Sequence, residues 1–197
     1  MAEPAFSLCI YCGSRPGENP LFADAARTVG TWIGQHGGQL VYGGGSGGLM
    51  GIVARSTAEA GGRVVGVIPQ SLVDREFANR DCDELHIVQT MHERKALMAE
   101  RSGAFLALPG GIGTFEELFE VWTWRQLGYH DKPIGLLNVA GYYDGLLSFL
   151  HHSVHSGFMG SWQMNLVEAA TEVDPLLARL VRGGQAAAPD PALRAVI

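Results

Sequence analysis

Short apolar runs alternate with longer amphipathic stretches along most of the chain. The apolar runs have the length of buried strands and occupy residues 6–12, 39–42, 63–68, 85–88, 104–108, 134–138 and 166–169. The stretches between them predict helices at residues 20–36, 49–60, 91–102, 114–127, 142–156 and 175–182. Strands that alternate with helices at this spacing predict the α/β class, with a doubly wound parallel sheet covered by helices on both faces.

Two regions depart from this alternation. Residues 69–84 are polar, charged and irregular, and we expect a loop or a short helix that lies over the sheet. Residues 183–197 are rich in Ala and Pro and have no core of their own, so we expect a C-terminal tail. The chain contains no internal repeat, and residues 1–182 are therefore predicted to fold as one domain.

The composition is that of an ordinary globular protein, since 47% of the 197 residues are hydrophobic and 17% are charged. The net charge of -6 gives no electrostatic footprint for nucleic acid or an anionic membrane, and no apolar run is long enough to span a bilayer. The three cysteines form an odd set, and the chain starts without a basic segment followed by a long apolar run. We therefore expect a cytoplasmic protein without a disulfide framework.

The most informative stretch is residues 108–117, where an apolar strand breaks on Pro109 and three glycines and a helix begins at Thr114. Glycines let the backbone approach a ligand closely, and a helix N-terminus presents unpaired N–H groups with positive partial charge. This turn is therefore predicted to bind an anion. Glu117 lies one helical turn further on, where its carboxylate could meet a group attached to a bound phosphate.

The same stretch allows a purely structural interpretation. Thr114 and Glu117 have the spacing of a capping box, in which both side chains only satisfy N–H groups of the first helical turn. A cap does not need the glycines that precede Thr114, and their presence favours the anion site.

Two further loops leave predicted strands at the same edge of the sheet. One follows the first strand and carries Ser14 and Arg15, and the other is the glycine-rich segment 43–48. Ligands of open α/β sheets bind outside the carboxyl ends of the strands, so the three loops are expected to form one pocket for a phosphorylated small molecule. Segment 43–48 has the spacing of a dinucleotide fingerprint, but the next strand lacks the acidic residue that would hold a ribose, and neither glycine loop is a P-loop.

Charged side chains near this edge are candidates for chemistry on the ligand; they are Glu76, Arg94, Lys95 and Glu117. Arg94 and Lys95 lie early in a helix, where a cation opposes the helix dipole, so helix stability does not explain them. A solvated face, or an ion pair with Glu93 or Glu100, would explain them equally well. If Arg94 faces Glu117, the carboxylate can hold or deprotonate a hydroxyl or water and stabilise positive charge on a sugar as a glycosidic bond breaks.

Histidines and aromatic residues give weaker signals. His151 and His155 form an i, i+4 pair, but no third ligand lies near them in sequence, so no metal site is predicted. The helix that begins at Thr114 is apolar on much of its circumference, through Phe115, Leu118, Phe119, Val121, Trp122 and Trp124. A single sheet face does not require so many apolar residues, and they suggest a buried homodimer interface.

Several motifs occur in order along the chain: Tyr11-Cys12-Gly13-Ser14, the segment 43–51, Met91-His92-Glu93-Arg94-Lys95, Pro109-Gly110-Gly111-x-Gly113-Thr114-x-x-Glu117, and segments 126–128, 132–133 and 141–143. Together they resemble the LONELY GUY family of cytokinin riboside 5'-monophosphate phosphoribohydrolases over residues 6–180. The resemblance implies a Rossmann-like homodimer without a cofactor. It also implies hydrolysis of the N-glycosidic bond of an N6-modified adenosine 5'-monophosphate, which releases the free base and ribose 5-phosphate.

The resemblance also implies roles for individual residues. Arg94 and Glu117 would be the catalytic pair, and the backbone of residues 111–114 would hold the phosphate. The implied substrate-binding positions are Ser14, Gly45, Glu76, Met91, Lys95, Pro109, Gly110, Gly111, Ile112, Gly113, Thr114 and Thr123. Arg125 departs from the family pattern, because a smaller residue is expected there.

Other functions are compatible with parts of this pattern. A nucleosidase of broad base specificity that acts on plain AMP differs only in its base pocket, and a molybdenum cofactor carrier of the same fold would need the phosphate loop alone. The presence of both Arg94 and Glu117 favours the enzyme over the carrier. A lysine decarboxylase would need a lysine that holds pyridoxal phosphate, and neither Lys95 nor Lys132 lies in such a context.

Overall fold

A computed structural model describes residues 3–73 and 77–186 of the chain. Within these residues the strands are β1 Ser7–Tyr11, β2 Gln39–Tyr42, β3 Arg63–Pro69, β4 Glu84–Val88, β5 Ala104–Ala107, β6 Ile134–Leu137 and β7 Val167–Ala170. They form one seven-stranded sheet in which every pairing is parallel. Each strand coincides with a predicted one to within one residue at either end. The five inner strands are buried on both faces, as expected of parallel strands, whereas the edge strands β4 and β7 are only partly buried.

The α-helices of the described residues are α1 Pro20–Gln35, α2 Gly48–Glu59, α3 Gln70–Val73, α4 Met91–Glu100, α5 Ile112–Gln126, α6 Asp144–His155, α7 Ser161–Met164 and α8 Val173–Ala186. A short 3-10 helix at Val139–Gly141 precedes α6. The short helix α3 lies in the irregular region 69–84, where the sequence predicted a loop or a short helix. None of these helices is long and apolar enough to cross a membrane.

Some helix boundaries differ from the predicted ones. Helix α6 begins at Asp144 instead of residue 142, because Ala140 and Gly141 adopt positive φ angles of 51° and 72° and form a turn. Helix α7 was not predicted, since its four residues are too few to show a periodicity. Helix α8 includes residues 183–186 of the predicted tail, and residues 187–197 lie outside the described part of the chain.

The strand order, β4-β3-β2-β1-β5-β6-β7, places the first strand at the centre of the sheet. The chain winds outward from β1 to β4 and then returns to lay β5 against the other side of β1. The loops that follow β1 and β5 therefore lead to opposite sides of the sheet and leave a crevice between them. Ligands of doubly wound sheets bind at such a switch point.

Two apolar layers cover the sheet, one on each face. Neighbouring strand residues alternate between them, so Leu40 packs with Val53 of α2 and Leu177 of α8 in one layer, whereas Val41 packs with Met98 and Leu118 in the other. Helices on both faces confirm the predicted α/β class. Helices α4 and α5 both lie on the second face, where each contributes to the same apolar cluster.

Cys9 and Cys12 have the Cys-x-x-Cys spacing of redox motifs, but both are structural. Cys9 and Cys12 are free and buried, and their side chains belong to opposite layers of the core. Burial raises the pKa of the Cys9 thiol to about 12 and also raises the pKa of Cys12 well above its ordinary value. A thiol that stays protonated and has no access to solvent is a poor nucleophile.

Candidate active site

A cavity of about 650 Å³ opens at the carboxyl edge of the sheet, beside the switch point. Residues 12–17 after β1 and residues 109–114 after β5 line it, as do Phe22, Leu49, Met50, Leu72, Arg94, Glu117 and Tyr142. Its volume is typical of a small-molecule site. Two of the three predicted loops therefore meet at the cavity, whereas the glycine segment 43–48 contributes only through the start of the helix that follows it.

The loop after β1 is bonded to both the loop after β5 and the start of α2. The Gly13 N–H donates to the Pro109 carbonyl oxygen at 3.0 Å, and the Gly13 carbonyl oxygen accepts from the Leu49 N–H at 3.0 Å. Gly48 has a φ of +56°, and a Cβ at this position would lie 2.3 Å from the carbonyl carbon of Ser14. A larger residue at position 48 would therefore push the loop after β1 out of place.

The anion site predicted from the glycines has its donors in place. Helix α5 begins at Ile112, and its first backbone hydrogen bond runs from the Phe115 N–H to the Gly111 carbonyl oxygen at 3.1 Å. The N–H groups of residues 112–114 precede this ladder and have no acceptor within the helix. Gly111, Ile112 and Gly113 are exposed and line the cavity, so these donors are available to a ligand.

The capping-box interpretation of this stretch is wrong. Thr114 is the third residue of α5 rather than its cap, because the helix starts two residues earlier than predicted and its N-cap is Gly111. The Thr114 hydroxyl is buried against the preceding turn, where a Cβ at Gly110 would lie 2.1 Å from it. The Glu117 carboxylate contacts a guanidinium group instead of turning back to the backbone.

Arg94 and Glu117 face each other across the crevice. Arg94 Nη1 lies 3.1 Å from Glu117 Oε1, and each residue is only 8% exposed. Arg94 Nε also donates to the Val67 carbonyl oxygen at 3.2 Å, which fixes the plane of the guanidinium group. A Cβ at Gly43 would lie 2.0 Å from Arg94 Nη2, so the arginine requires a glycine there. The alternative of an Arg94–Glu93 pair is wrong, and Arg94 is not on a solvated face.

Helix α4 begins in a way that directs Arg94 into the crevice. Its N-cap is Thr90, whose hydroxyl accepts from the Glu93 N–H at 3.1 Å, and the Glu93 carboxylate accepts from the Gln89 N–H at 2.8 Å. These two bonds form the capping box that the Thr-x-x-Glu spacing of Thr90 and Glu93 favours, with the second bond displaced by one residue. They hold the first turn of α4 and leave the Arg94 guanidinium free to pair with Glu117.

The Glu117 carboxyl has a pKa close to neutrality. Burial raises the pKa from 4.5 to about 7, the Arg94 charge acts in the opposite direction, and the neighbouring Glu116 adds to the rise. A carboxylate with such a pKa is a stronger base than an exposed one, and about half of it is ionised at neutral pH. Perturbed carboxyl groups in a cavity are typical of catalytic sites.

Lys95 lies beside this pair and points away from the cavity. It is 6% exposed and forms ion pairs with Glu116 and, at 2.9 Å, with Glu120 of α5. Burial lowers the pKa of Lys95, but the bonds to these two carboxylates outweigh it and raise the pKa overall. Lys95 therefore fastens α4 to α5 next to the Arg94–Glu117 pair, and it does not line the cavity of this chain.

Apolar side chains to which the sequence analysis assigned no role form the rest of the cavity. Phe22 of α1 and Tyr142 contact each other edge to face, with ring centroids 5.4 Å apart. Met50 and Leu72 also line the cavity, and they belong to α2 and α3. Met50 and Tyr142 lie within the motif segments 43–51 and 141–143, whereas Phe22 and Leu72 belong to no motif. Only the fold brings the four side chains together.

Comparison with known proteins identifies the family. Proteins described as "possible lysine decarboxylase" match residues 50–180 of the chain. A probable cytokinin riboside 5'-monophosphate phosphoribohydrolase of Oryza sativa subsp. japonica is 49% identical over 173 residues, which are 88% of this chain and 70% of that protein. A cytokinin riboside 5'-monophosphate phosphoribohydrolase of Arabidopsis thaliana is 47% identical over 173 residues, which are 88% of this chain and 81% of that protein. The chain belongs to the LONELY GUY family.

Solved structures support the fold of this LONELY GUY protein. The molybdenum cofactor carrier protein of Chlamydomonas reinhardtii matches it with a TM-score of 0.67 at 21% identity, over 94% of this chain and 99% of the carrier. The molybdenum cofactor binding protein of Rippkaea orientalis gives a TM-score of 0.68 at 20% identity, over 92% and 97% of the two chains. At these identities the likeness shows the Rossmann-like fold alone.

The decarboxylase description of the LONELY GUY family does not fit the lysines of this chain. The sequence contains only Lys95 and Lys132. Lys95 is held by two carboxylates, and Lys132 Nζ donates to the Ala99 carbonyl oxygen at 2.7 Å. Neither lysine lines the cavity that holds the Arg94–Glu117 pair. An amine at either position is therefore badly placed to form a Schiff base there.

Some positions implied by the LONELY GUY resemblance lie away from the cavity. Gly45 and Met91 do not line it, although the Met91 sulfur is 4.0 Å from Arg94 Nη1. Thr123 is exposed on α5, beyond Glu117. Glu76 falls outside the described residues. Substrate contacts of these residues stay predictions, whereas Ser14 and all of the implied positions from Pro109 to Thr114 line the cavity.

The departure from the LONELY GUY pattern at Arg125 does not affect the cavity. Arg125 Nη1 donates to the Leu166 carbonyl oxygen at 2.6 Å, just before β7. Trp122 makes a parallel contact, because its indole N–H donates to the Gln163 carbonyl oxygen at 2.9 Å. Both side chains tie α5 to the segment around α7, so the bulk of Arg125 is accommodated away from the cavity, which it does not line.

Proposed function

We propose that the protein hydrolyses the N-glycosidic bond of N6-modified adenosine 5'-monophosphates and releases the free base and ribose 5-phosphate. The observation that carries the proposal is the Arg94–Glu117 pair, which lines the cavity one helical turn beyond the unpaired N–H groups of α5. The substrate class is the one in the names of the relatives from Oryza sativa and Arabidopsis thaliana.

The geometry suits a sugar phosphate that lies along the first turn of α5. The N–H groups of residues 112–114 hold the 5'-phosphate, and Glu117 is three residues further, or about 4.5 Å along the helix axis. The Glu117 carboxylate holds or deprotonates the attacking water and stabilises the positive charge that develops on the ribose. Water adds to the anomeric carbon, the electrons of the glycosidic bond leave with the base, and the base takes up a proton.

Arg94 stays protonated throughout, because a guanidinium group does not lose its proton at neutral pH. Its bonds to Glu117 and to the Val67 carbonyl oxygen hold the carboxylate in one orientation. Its charge also limits the rise in the pKa of Glu117, so the carboxylate is available as a base. No step requires a cofactor or a metal ion.

The apolar part of the cavity is where we place the base. Phe22, Met50, Leu72 and Tyr142 provide apolar contact area for a purine and for a hydrophobic group on its N6 atom. A broad nucleosidase for plain AMP would use the same catalytic pair. A carrier of molybdenum cofactor is disfavoured, since carriage needs no buried Arg94–Glu117 pair with a perturbed carboxyl pKa.

The decisive experiment compares isopentenyladenosine 5'-monophosphate, AMP and isopentenyladenosine as substrates, with ribose 5-phosphate or ribose as the measured product. The proposal expects rapid release from the modified monophosphate, slower release from AMP and little from the riboside. Equal rates with AMP would favour the broad nucleosidase. Release from neither monophosphate would contradict the enzyme and leave the carrier.

The role of the glycine turn is tested by Gly111→Ala. A Cβ at Gly111 meets no protein atom within 4 Å, so the variant should fold normally and place its methyl group in open space beside the donors of α5. We expect about a tenfold rise in the KM of the monophosphate, equal to about 1.4 kcal/mol of lost binding free energy. Gly145→Ala is the matched control, because a Cβ at Gly145 also meets no atom within 4 Å and Gly145 does not line the cavity. An unchanged KM would place the phosphate elsewhere.

We also propose that the protein is a homodimer. Leu118, Val121 and Trp122 pack into the core of the chain itself. Fewer apolar residues of α5 are therefore available for a dimer interface than the sequence suggested. Phe119 and Leu127 of the α5 region are nevertheless 36% and 55% exposed. Exposed apolar residues on one helix are typical of a subunit contact, which would also cover Thr123. Light scattering at micromolar concentration should give twice the chain mass of 21.1 kDa.

A cytoplasmic setting is part of the proposal. Cys9, Cys12 and Cys82 are all free thiols, which is the usual state in a reducing compartment. The partner expected for this chain is a small nucleoside monophosphate, and the net charge of -6 offers no attraction for nucleic acid or an anionic membrane.

A further inference from the structure

Two consecutive tyrosines contact the backbone of the phosphate loop. The Tyr142 hydroxyl donates to the Gly110 carbonyl oxygen, and the Tyr143 hydroxyl donates to the Leu108 carbonyl oxygen at 2.6 Å. The Pro109 carbonyl oxygen between them accepts from the Gly13 N–H at 3.0 Å. Three successive carbonyl groups before α5 are therefore held by donors from outside the loop.

The bond to Gly110 fixes more than a carbonyl group. The described residues contain no cis peptide bond, and in a trans peptide the C=O and the next N–H point in opposite directions. When Tyr142 holds the Gly110 carbonyl oxygen on its side, the Gly111 N–H must point away from the tyrosine. Gly111 lines the cavity and is exposed, so this N–H becomes a further donor beside those of residues 112–114.

The two glycines would not keep this orientation unaided. Gly110 and Gly111 have no side chains to restrict their backbone, and a glycine peptide can rotate at small cost. Tyr142 is itself held firmly, because its N–H donates to the Val139 carbonyl oxygen at 3.0 Å and its ring packs on Phe22 and on Tyr143. The Tyr142 side chain can therefore hold the Gly110–Gly111 peptide in one orientation.

We propose that Tyr142 is a positioning residue for the 5'-phosphate: its hydroxyl holds the Gly110–Gly111 peptide so that the Gly111 N–H points at the anion. This inference rests on the proposed function, because it assumes that the anion is the phosphate of the substrate. It assigns Tyr142 a role that differs from that of Tyr143. Tyr143 is 1% exposed and supports the strand end, whereas Tyr142 is 39% exposed and lines the cavity.

Tyr142→Phe tests the proposal, since it removes one hydroxyl and keeps the ring that packs on Phe22. We expect about a tenfold weaker affinity for ribose 5-phosphate by calorimetry and a similar rise in the KM of the monophosphate, the usual effect of one hydrogen bond. The value of kcat, the affinity for the free base and the thermal midpoint should change little. Tyr129→Phe is the matched control, because Tyr129 is half-buried and does not line the cavity.

Two outcomes would overturn the inference. Unchanged affinity for ribose 5-phosphate in folded Tyr142→Phe would show that the hydroxyl does not orient the donor. A parallel loss of affinity for the free base, or a thermal midpoint lowered as in Tyr143→Phe, would show a general structural role. The binding measurement needs no turnover, so failure of the wild type to cleave any monophosphate would contradict the proposed function separately.

Discussion

Glu117→Gln is expected to lower kcat by about a thousandfold, which is within the usual contribution of a positioned general base. The amide has the size of the carboxylate and can still accept a bond from Arg94 Nη1, which lies 3.1 Å from Glu117 Oε1. It cannot take a proton from water or stabilise positive charge on the ribose. The fold should be preserved, and KM should change little because the phosphate donors lie a turn away.

The pH profile gives a second measurement on the same variant. The pKa of Glu117 is raised to about 7, so the carboxylate fraction increases as pH rises through that value. In the wild type, kcat/KM should therefore fall about tenfold per unit below this pKa and level off above it. The residual activity of Glu117→Gln should lack this limb.

A matched control separates the role of Glu117 from a general effect of removing a carboxylate. Glu59→Gln makes the same chemical change at an exposed position near the end of α2, and it should leave both kcat and the pH profile unchanged. Full activity of Glu117→Gln, or a pH limb that survives in it, would remove Glu117 from the proposed mechanism.

Arg94→Ala should lower kcat/KM at pH 7 by about a hundredfold, the lower end of the effects seen when one electrostatic contact to a reacting centre is lost. The Arg94 charge lowers the pKa of Glu117, so its removal should raise that pKa above the wild-type value of about 7. Less of the carboxyl group would then be ionised at neutral pH. The limb of the pH profile should consequently move to higher pH, and part of the activity should return in alkaline solution.

The size of this shift distinguishes Arg94 from arginines that only support the fold. Arg27→Ala is the control, because Arg27 pairs with Asp24 on the surface, with side chains 58% and 61% exposed. That variant should keep the wild-type rate and profile. A pH limb that stays in place in Arg94→Ala, with activity reduced at every pH, would mean that Arg94 does not set the ionisation of Glu117.

The strands of the sheet were predictable because buried parallel strands have a local hydrophobic pattern in the sequence. The inner strands are mostly apolar runs that end close to a glycine, proline or polar residue, and this pattern does not depend on the rest of the fold. The edge strands β4 and β7 are less apolar, since they contain Glu84, His86 and Glu168. The cap at Thr90 was predictable for the same reason, since Thr90 and Glu93 are neighbours in sequence and in the structure. Helix α7 has no recognisable pattern in the sequence because it is a single turn of four residues.

The start of α5 shows where local patterns fail. Gly111, Ile112 and Gly113 have low or moderate helix propensity, so the sequence favoured a start at Thr114. In the structure the helix begins at Ile112, where the preceding loop is held by Gly13 and Tyr142. Contacts with distant segments therefore outweigh propensity, and they turn a predicted cap residue into a buried third residue of the helix.

The sequence by itself determined the α/β class, the strands and the set of charged residues, because periodicity and glycine spacing are local properties. It placed Arg94 and Glu117 in the same region but left the alternative of a solvated or structural ion pair. Only the tertiary structure decided that these two residues pair with each other while Lys95 turns to Glu116 and Glu120. Adjacent residues of α4 point in different directions, and which direction meets the cavity depends on how α4 packs against α5. The raised pKa of Glu117 also depends on the tertiary structure, because the burial that raises it results from packing and cannot be read from the sequence.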